Sequence, residues 1–170
     1  MNYGEVYGWM HKRYPNCFSG YSIKPHTDDI AALIRDYGAT RLLDYGSGKG
    51  MQYLVSRVHE RWGGLLPVCY DIGIKQLSKK PRGKFDGIIC TDVMGYVEAL
   101  DVPGVLAGIF GYAEPAAFIF FYIACRPAEH KHLPNGRDVL LTVRSPRWWS
   151  EQLAPFQRDG LMVKVVYDED

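Results

Sequence analysis

Arg41-Leu42-Leu43-Asp44-Tyr45-Gly46-Ser47-Gly48-Lys49-Gly50 decides the fold. A short apolar run ends on an acid, and Gly-x-Gly-x-Gly follows. Met51-Gln52-Tyr53-Leu54-Val55 then opens a helix predicted over 50–62. Glycine admits a sharp turn and lets the backbone approach a ligand where a Cβ would collide. The helix is expected to aim free N–H groups and a partial positive charge at the same spot. Strand, turn and helix in this order build a nucleotide-sized site at the carboxyl end of the first strand of a parallel sheet. An isolated glycine pattern is weak support for a site and reads equally as a turn. Here the strand–turn–helix context and Asp44, placed to meet a cation, favour a binding loop. No Gly-Lys-Ser/Thr follows at phosphate-loop spacing. The third glycine comes one residue early for a dinucleotide fingerprint, and Asp44 would repel a pyrophosphate.

Asp44-x-Gly46-x-Gly48-x-Gly50 resembles the first motif of class I S-adenosylmethionine-dependent methyltransferases. Their donor is a sulfonium cation, which makes an acid at the turn intelligible. The resemblance covers about residues 18–165. It implies a Rossmann-like, doubly wound α/β fold with a mostly parallel sheet. It assigns Asp44, Gly46, Ser47, Gly48 and Gly50 to the methionine end of the donor.

Leu66-Pro67-Val68-Cys69-Tyr70-Asp71 reads as the second strand. An acid at that strand end binds ribose hydroxyls in doubly wound folds. The resemblance gives Asp71 this role and sets Ile72 against the adenine; alternatively Asp71 merely starts a turn with Gly73. Residues 72–84 are too few and too basic for the helix, strand and helix that relatives carry here. The sheet is therefore expected to be shortened from the usual seven strands, without the third. Phe85-Asp86-Gly87-Ile88-Ile89-Cys90-Thr91-Asp92 resembles the family's fourth strand. Asp92 falls on the rim where donor or acceptor binds, or forms an Asx-type turn. Gly95-Tyr96 stands where Glu-His is frequent, so a catalytic histidine at that point is lost. The DNA-amino-methylating Asp/Asn-Pro-Pro-aromatic motif and the cytosine-methylating Pro-Cys motif are both absent.

Upstream, residues 3–13 are expected to be helical. The aromatic arm Tyr3, Tyr7, Trp9, Tyr14, Phe18, Tyr21 is either packing or a flap over the site. Thr27 caps a second helix with Asp28 and Asp29 in its first turn, and Gly38 stops it. Downstream, a helix is expected over 102–112, with Pro103 in its first turn. Ala116–Ile123 has the continuous apolar character of a central parallel strand. The loop 124–145 leaves that strand's carboxyl end and carries Arg126, His130, His132 and Arg137. His132 or His130 is a candidate general base. Arg126 and Arg137 are candidates to clamp an anionic substrate. Glu-His-Lys-His is also what an ordinary solvated loop looks like. Ser145-Pro146 starts a last helix, and 161–167 is the last strand, with Val139–Val143 as a candidate partner. Leu133-Pro134, Gly136-Arg137, Leu141-Thr142 and Pro146-Arg147-Trp148-Trp149 resemble the tail of short, phage-type methyltransferase-like proteins.

The 170 residues predict one domain, spanning 1–170, with a core of its own. A net charge of +1 gives no electrostatic footprint for nucleic acid. Twelve tyrosines and four tryptophans exceed ordinary needs, and some of those rings are candidates to line a pocket. Cys17, Cys69, Cys90 and Cys125 are widely spaced, which suits reduced thiols and a cytoplasmic location. No metal-ligand spacing, secretory segment or membrane-length apolar run is present. An uncovered sheet edge makes a homodimer an expectation. The resemblance implies a methyltransferase, with Asp92, His132 and Arg137 near the acceptor; small molecule, nucleotide, sugar, protein and nucleic acid all stay open as acceptors, and the near-neutral charge and small size favour a small molecule. The alternatives are a donor-binding module without transferase activity and a nicotinamide-dependent oxidoreductase, which the glycine spacing disfavours.

Overall fold

The computed structural model describes residues 2–16, 18–128, 132–133 and 135–169. Five parallel strands form one sheet in the order β2-β1-β3-β4-β5. They are β1 Leu42–Tyr45, β2 Val68–Tyr70, β3 Phe85–Thr91, β4 Ala113–Ala124 and β5 Met162–Asp168. Helices α1 Tyr3–Arg13, α2 Thr27–Tyr37, α3 Met51–Leu54, α4 Val102–Gly111 and α5 Pro146–Leu153 surround it. The fold is thus α/β and Rossmann-like, with a shortened sheet. The chain runs from β1 outward to β2, then returns to the other side of β1 to form β3. This reversal opens a crevice above the carboxyl ends of β1 and β3.

Alternation along the central strands explains why both sheet faces are covered. Successive side chains point to opposite faces. Leu42, Ile89, Phe118 and Phe120 meet Ile30 and Leu33 of α2 and Trp62 on one face. Leu43, Ile88, Cys90, Ile119 and Phe121 meet Leu106 and Ile109 of α4 and Trp149 of α5 on the other. Helix boundaries follow local chemistry. Gly38 ends α2 in the left-handed region at φ +59°. Ser145 Oγ accepts from Trp148 N at the start of α5. Thr27 is not the expected cap of α2. It is the first helical residue after a 3-10 turn, and its hydroxyl donates back to the Lys24 carbonyl.

The missing third strand is replaced by a turn that folds back on β2. Asp71 N donates to Leu77 O at 3.1 Å and Leu77 N to Ile74 O at 2.8 Å. The Arg41 guanidinium then donates to the carbonyls of Arg82 and Lys84, fixing the return into β3. Three other expectations are corrected. The helix predicted over 50–62 is the single turn Met51–Leu54 followed by a 3-10 segment, Val58–Trp62. Its break is at Arg57, whose φ is +50°. Val139–Val143 forms no strand. Thr142 instead hangs from the 95–97 segment, its N donating to Gly95 O and its Oγ1 to Val97 O. The strand predicted over 66–71 is only Val68–Tyr70. Proline has no N–H to add to the ladder, which suits Pro67 just outside it.

Candidate functional site

A cavity of about 370 Å³ lies over the crevice at the switch point. Three strand ends supply its floor: Tyr45 and Gly46 after β1, Tyr70, Asp71 and Ile72 after β2, and Thr91, Asp92 and Val93 after β3. Asn16 and the residues from Phe18 to Ser22 form one wall. Tyr3 and Tyr7 of α1 form another, with Tyr96, Val97 and Val105 beyond them. The amino-terminal arm therefore packs and also covers the site. Met10, Tyr96, Leu133, Val139 and Leu140 form a separate apolar cluster against the arm's aromatic residues. The OH of Tyr7 donates to the Tyr96 carbonyl. Tyr3 OH donates to Asp101 and accepts from Glu98 N at 2.9 Å.

The glycine turn is shaped by contact on both sides. Gly46 sits at φ +81°, and a Cβ on it would stand 2.3 Å from Cγ2 of Val93. Gly48 sits at φ +56°, and a Cβ there would stand 2.5 Å from the Phe18 carbonyl oxygen. The turn's amides face inward bonds rather than open space. Gly46 N and Ser47 N donate to Tyr70 O, Lys49 N to Phe18 O, Gly50 N to Ser47 O and Met51 N to Ser19 O. Gly48 N donates to Asp71 Oδ2 at 2.9 Å. The expectation of free amides at a helix end is thereby overturned. A one-turn helix carries little dipole, and the Phe18–Gly20 strap supplies its missing acceptors. A pyrophosphate would find neither amides nor a field.

Gly46, Gly48, Asp71, Ile72 and Asp92 line the cavity as the sequence suggested. Asp71 is the best-held of them. Besides Gly48 N, it accepts from Gly73 N at 2.9 Å, and His11 Nε2 lies 3.5 Å from its Oδ1. Asp92 adopts φ +56°, a conformation that Asp tolerates better than most residues.

Asp44, Ser47 and Gly50 do not line the cavity. Asp44 is 1% exposed and lies beneath the turn. Its Oδ2 accepts from Tyr53 OH at 2.8 Å and from Gln52 Nε2 at 3.0 Å, while Oδ1 is buried without a partner. Burial raises its pKa to about 7, against the opposing pull of those two hydrogen bonds. Its place in the structure is to brace the turn from below.

His132 and Arg137 stand away from the cavity as well. His132 forms an isolated antiparallel bridge with Asp138. Arg137 makes a two-pronged pair with Glu98 at 2.9 and 3.3 Å. That pair clips the 135–143 segment to the turn before α4 rather than clamping a substrate. Arg126 pairs with Asp168 at 3.1 Å. His130 lies outside the described residues.

Sequence reasoning named Tyr3, Tyr7 and Phe18 only as members of an aromatic arm and Tyr96 only as a departure from the family pattern, and it passed over Tyr45 and Tyr70, whose only signal was the excess of tyrosine. Burial holds the Tyr7, Tyr45 and Tyr70 phenols above their ordinary pKa and pushes Tyr3 up to about 12, with the Asp101 hydrogen bond adding to it. These groups are neutral at pH 7 and cannot act there as bases. Gly95 was noted only as a departure. Its place is explained by Leu140, whose Cδ2 would stand 2.9 Å from a Cβ at that position.

Among the described residues, no group of His, Cys, Asp and Glu is arranged to hold a metal ion, and no helix is long and apolar enough to cross a membrane. Comparison with protein families, with curated proteins and with solved structures finds no match for this chain.

Proposed function

We propose that the protein is an S-adenosylmethionine-dependent methyltransferase acting on a small-molecule acceptor. One observation supports this above the rest. The cavity at the switch point contains two carboxylates, Asp71 and Asp92, among tyrosine rings, and no Lys or Arg among its described lining residues. Such a lining suits a ligand with a positive centre and a flat ring, because ring faces and carboxylates both attract cations. It disfavours the pyrophosphate of a nicotinamide dinucleotide.

When bound, the donor supplies a methyl group already activated by its positive sulfur. The chain's task is then placement and exclusion of water. Asp71 accepts ribose hydroxyls while remaining anchored to Gly48 and Gly73. Ile72 offers an apolar edge to the adenine. Gly46 and Gly48, which make room for Val93 and the Phe18 carbonyl, form with Asp44, Ser47 and Gly50 the turn beneath the methionine portion. Asp92 stands at the acceptor side as the proton-accepting candidate. His132 and Arg137 have no part in this assignment.

Titration calorimetry of the purified protein with S-adenosylmethionine and with NAD tests the reading. Micromolar to sub-millimolar affinity for the first alone is expected. No heat from S-adenosylmethionine at millimolar concentration rejects it. A second reading, donor binding without transfer, is favoured by His132 and Arg137 both standing off the cavity. Transfer of labelled methyl to a lysate component rejects that alternative.

The cytoplasmic location accompanies this reading, in keeping with the free thiols at Cys69, Cys90 and Cys125. A homodimer through β5 is part of the proposal too. β5 pairs with β4 along Met162–Asp168 and lies last in the sheet order. Gel filtration is expected to give twice the chain mass, and a single-chain mass rejects the dimer.

A further inference from the structure

The turn that replaces the third strand is wholly one-sided in charge. Residues 72–84 contain Lys75, Lys79, Lys80, Arg82 and Lys84 and no acid, which leaves 15 basic against 19 acidic residues in the rest of the chain. The net charge of +1 is a sum over the whole surface and conceals this separation. We infer that this face, with the adjoining end of α1, binds the sugar–phosphate backbone of a single-stranded nucleic acid. The inference goes beyond methyl transfer and stands whether or not the donor binds.

Display of the cations is the first ground. All five are exposed. Lys84 Nζ donates to the Gly111 carbonyl, whereas the side chains of Lys75, Lys79, Lys80 and Arg82 make no ion pair with a described residue. The backbone beneath them is fixed. Ile74 N donates to Asp71 O at 3.3 Å, Ser78 Oγ donates to Lys75 O at 3.1 Å, and Arg41 holds the carbonyls of Arg82 and Lys84. Cations without acid partners are available to phosphates, and their binding is driven by release of condensed counterions.

Continuity with α1 is the second. A Cβ on Gly8 would stand 3.5 Å from the Gly73 carbonyl oxygen, and one on Gly73 would stand 2.9 Å from His11 Cδ2. The helix therefore rests on the start of the basic turn. Lys12 follows Gly8 by one helical turn on the same side, and Lys12 and Arg13 are exposed. Glu5, the one acid of α1, lies at the helix's other end.

Exposed rings are the third, and they select the partner among polyanions. Trp9 is 39% exposed and stands edge-on to Tyr14 at 6.5 Å, and the Arg13 guanidinium lies 5.2 Å from the Tyr14 ring centre. Unpaired bases stack on such rings, whereas the bases of a duplex have their faces covered. An anionic membrane calls for apolar side chains among the cations, and no large exposed hydrophobic residue falls between Gly73 and Lys84. An acidic peptide gains nothing from the rings.

The test is fluorescence anisotropy of a labelled thymidine oligonucleotide, alone and paired with its complement, titrated with the whole chain at pH 7. A micromolar Kd for the single strand is expected at about 50 mM salt, weakening roughly fiftyfold at about 200 mM for about four neutralised phosphates. Lys79→Glu with Lys80→Glu should cost at least roughly tenfold at the lower salt and flatten the salt slope by about 1.4. Arg144→Glu with Arg147→Glu changes the net charge equally at the start of α5, which bonds β5 at the opposite end of the sheet order. Screening should hold its cost below about threefold. Trp9→Ala should cost about fivefold or more. Thermal melts of each variant report whether it folds. Absence of binding at the lower salt overturns the inference, as does equal loss from the two charge reversals. A duplex bound as tightly as the single strand, or a Trp9→Ala variant that binds unchanged, also overturns it, because the rings then take no part. Sedimentation with phosphatidylserine vesicles in the absence of oligonucleotide binding overturns it in favour of a membrane surface.

Discussion

Asp71→Ala is expected to lose most of the protein's affinity for S-adenosylmethionine, by roughly a hundredfold, and to destabilise the fold as well. A carboxylate that accepts two ribose hydroxyls contributes about 1.5–3 kcal/mol for each, and every 1.4 kcal/mol is tenfold in affinity. The structural cost comes from the same atoms. Oδ2 holds Gly48 N and Oδ1 holds Gly73 N, both at 2.9 Å. Removing the acceptor leaves two partly or fully buried amides unsatisfied, at about 1–3 kcal/mol each. A loss of a few kcal/mol in a domain of this size lowers the melting temperature by about 5–10 °C. Asp71→Asn keeps one acceptor oxygen and should fall between wild type and Asp71→Ala in both measurements. Calorimetry and thermal melting check the two parts separately. Unchanged affinity in a folded Asp71→Ala variant removes the ribose assignment, and an unchanged melting temperature removes the bracing role.

Asp44→Asn should flatten the dependence of stability on pH. Burial without full satisfaction raises the Asp44 pKa from 3.8 to about 7. The folded state therefore holds this proton more tightly than the unfolded chain does. Its stabilising contribution is complete below pH 4 and fades as pH rises toward 7, because only the unfolded chain has released the proton in that window. At about 1.4 kcal/mol per unit, the penalty at pH 8 is on the order of 4 kcal/mol. Asn keeps an oxygen to accept from Tyr53 and Gln52 and has no charge to bury. Denaturant melts of both proteins between pH 4 and pH 8 are expected to diverge, with the variant gaining relative stability as pH rises. Parallel profiles would show that Asp44 is ionised in the folded protein throughout.

The two acids show how far local pattern reaches. Both end a short apolar run and both precede glycine-bearing turns, at Asp44-Tyr45-Gly46 and Asp71-Ile72-Gly73. Sequence spacing treats them alike. In the folded chain Asp71 faces the cavity, whereas Asp44 turns beneath the loop toward Tyr53 and Gln52. The difference arises from the register of β1 against β2 and from the packing of α3, which brings Gln52 and Tyr53 onto Asp44, and no local pattern encodes either. The same holds for Arg137. Its bidentate partner Glu98 lies 39 residues away, and only the docking of Thr142 on Gly95 and Val97 brings their segments together.

Local sequence pattern specified the parallel α/β class, the glycine turn after the first strand, the lost third strand and the buried central strand. These follow from runs of apolar residues, from glycine where a Cβ would collide, and from segments too short to hold another crossover. Tertiary structure alone decided which side chains surround the cavity. Tyr3, Tyr7 and Tyr96 meet there because α1 crosses the rim and docks beside the start of α4. Contacts across such distances depend on where whole elements pack, and the short-range periodicities that specify each element carry no record of that.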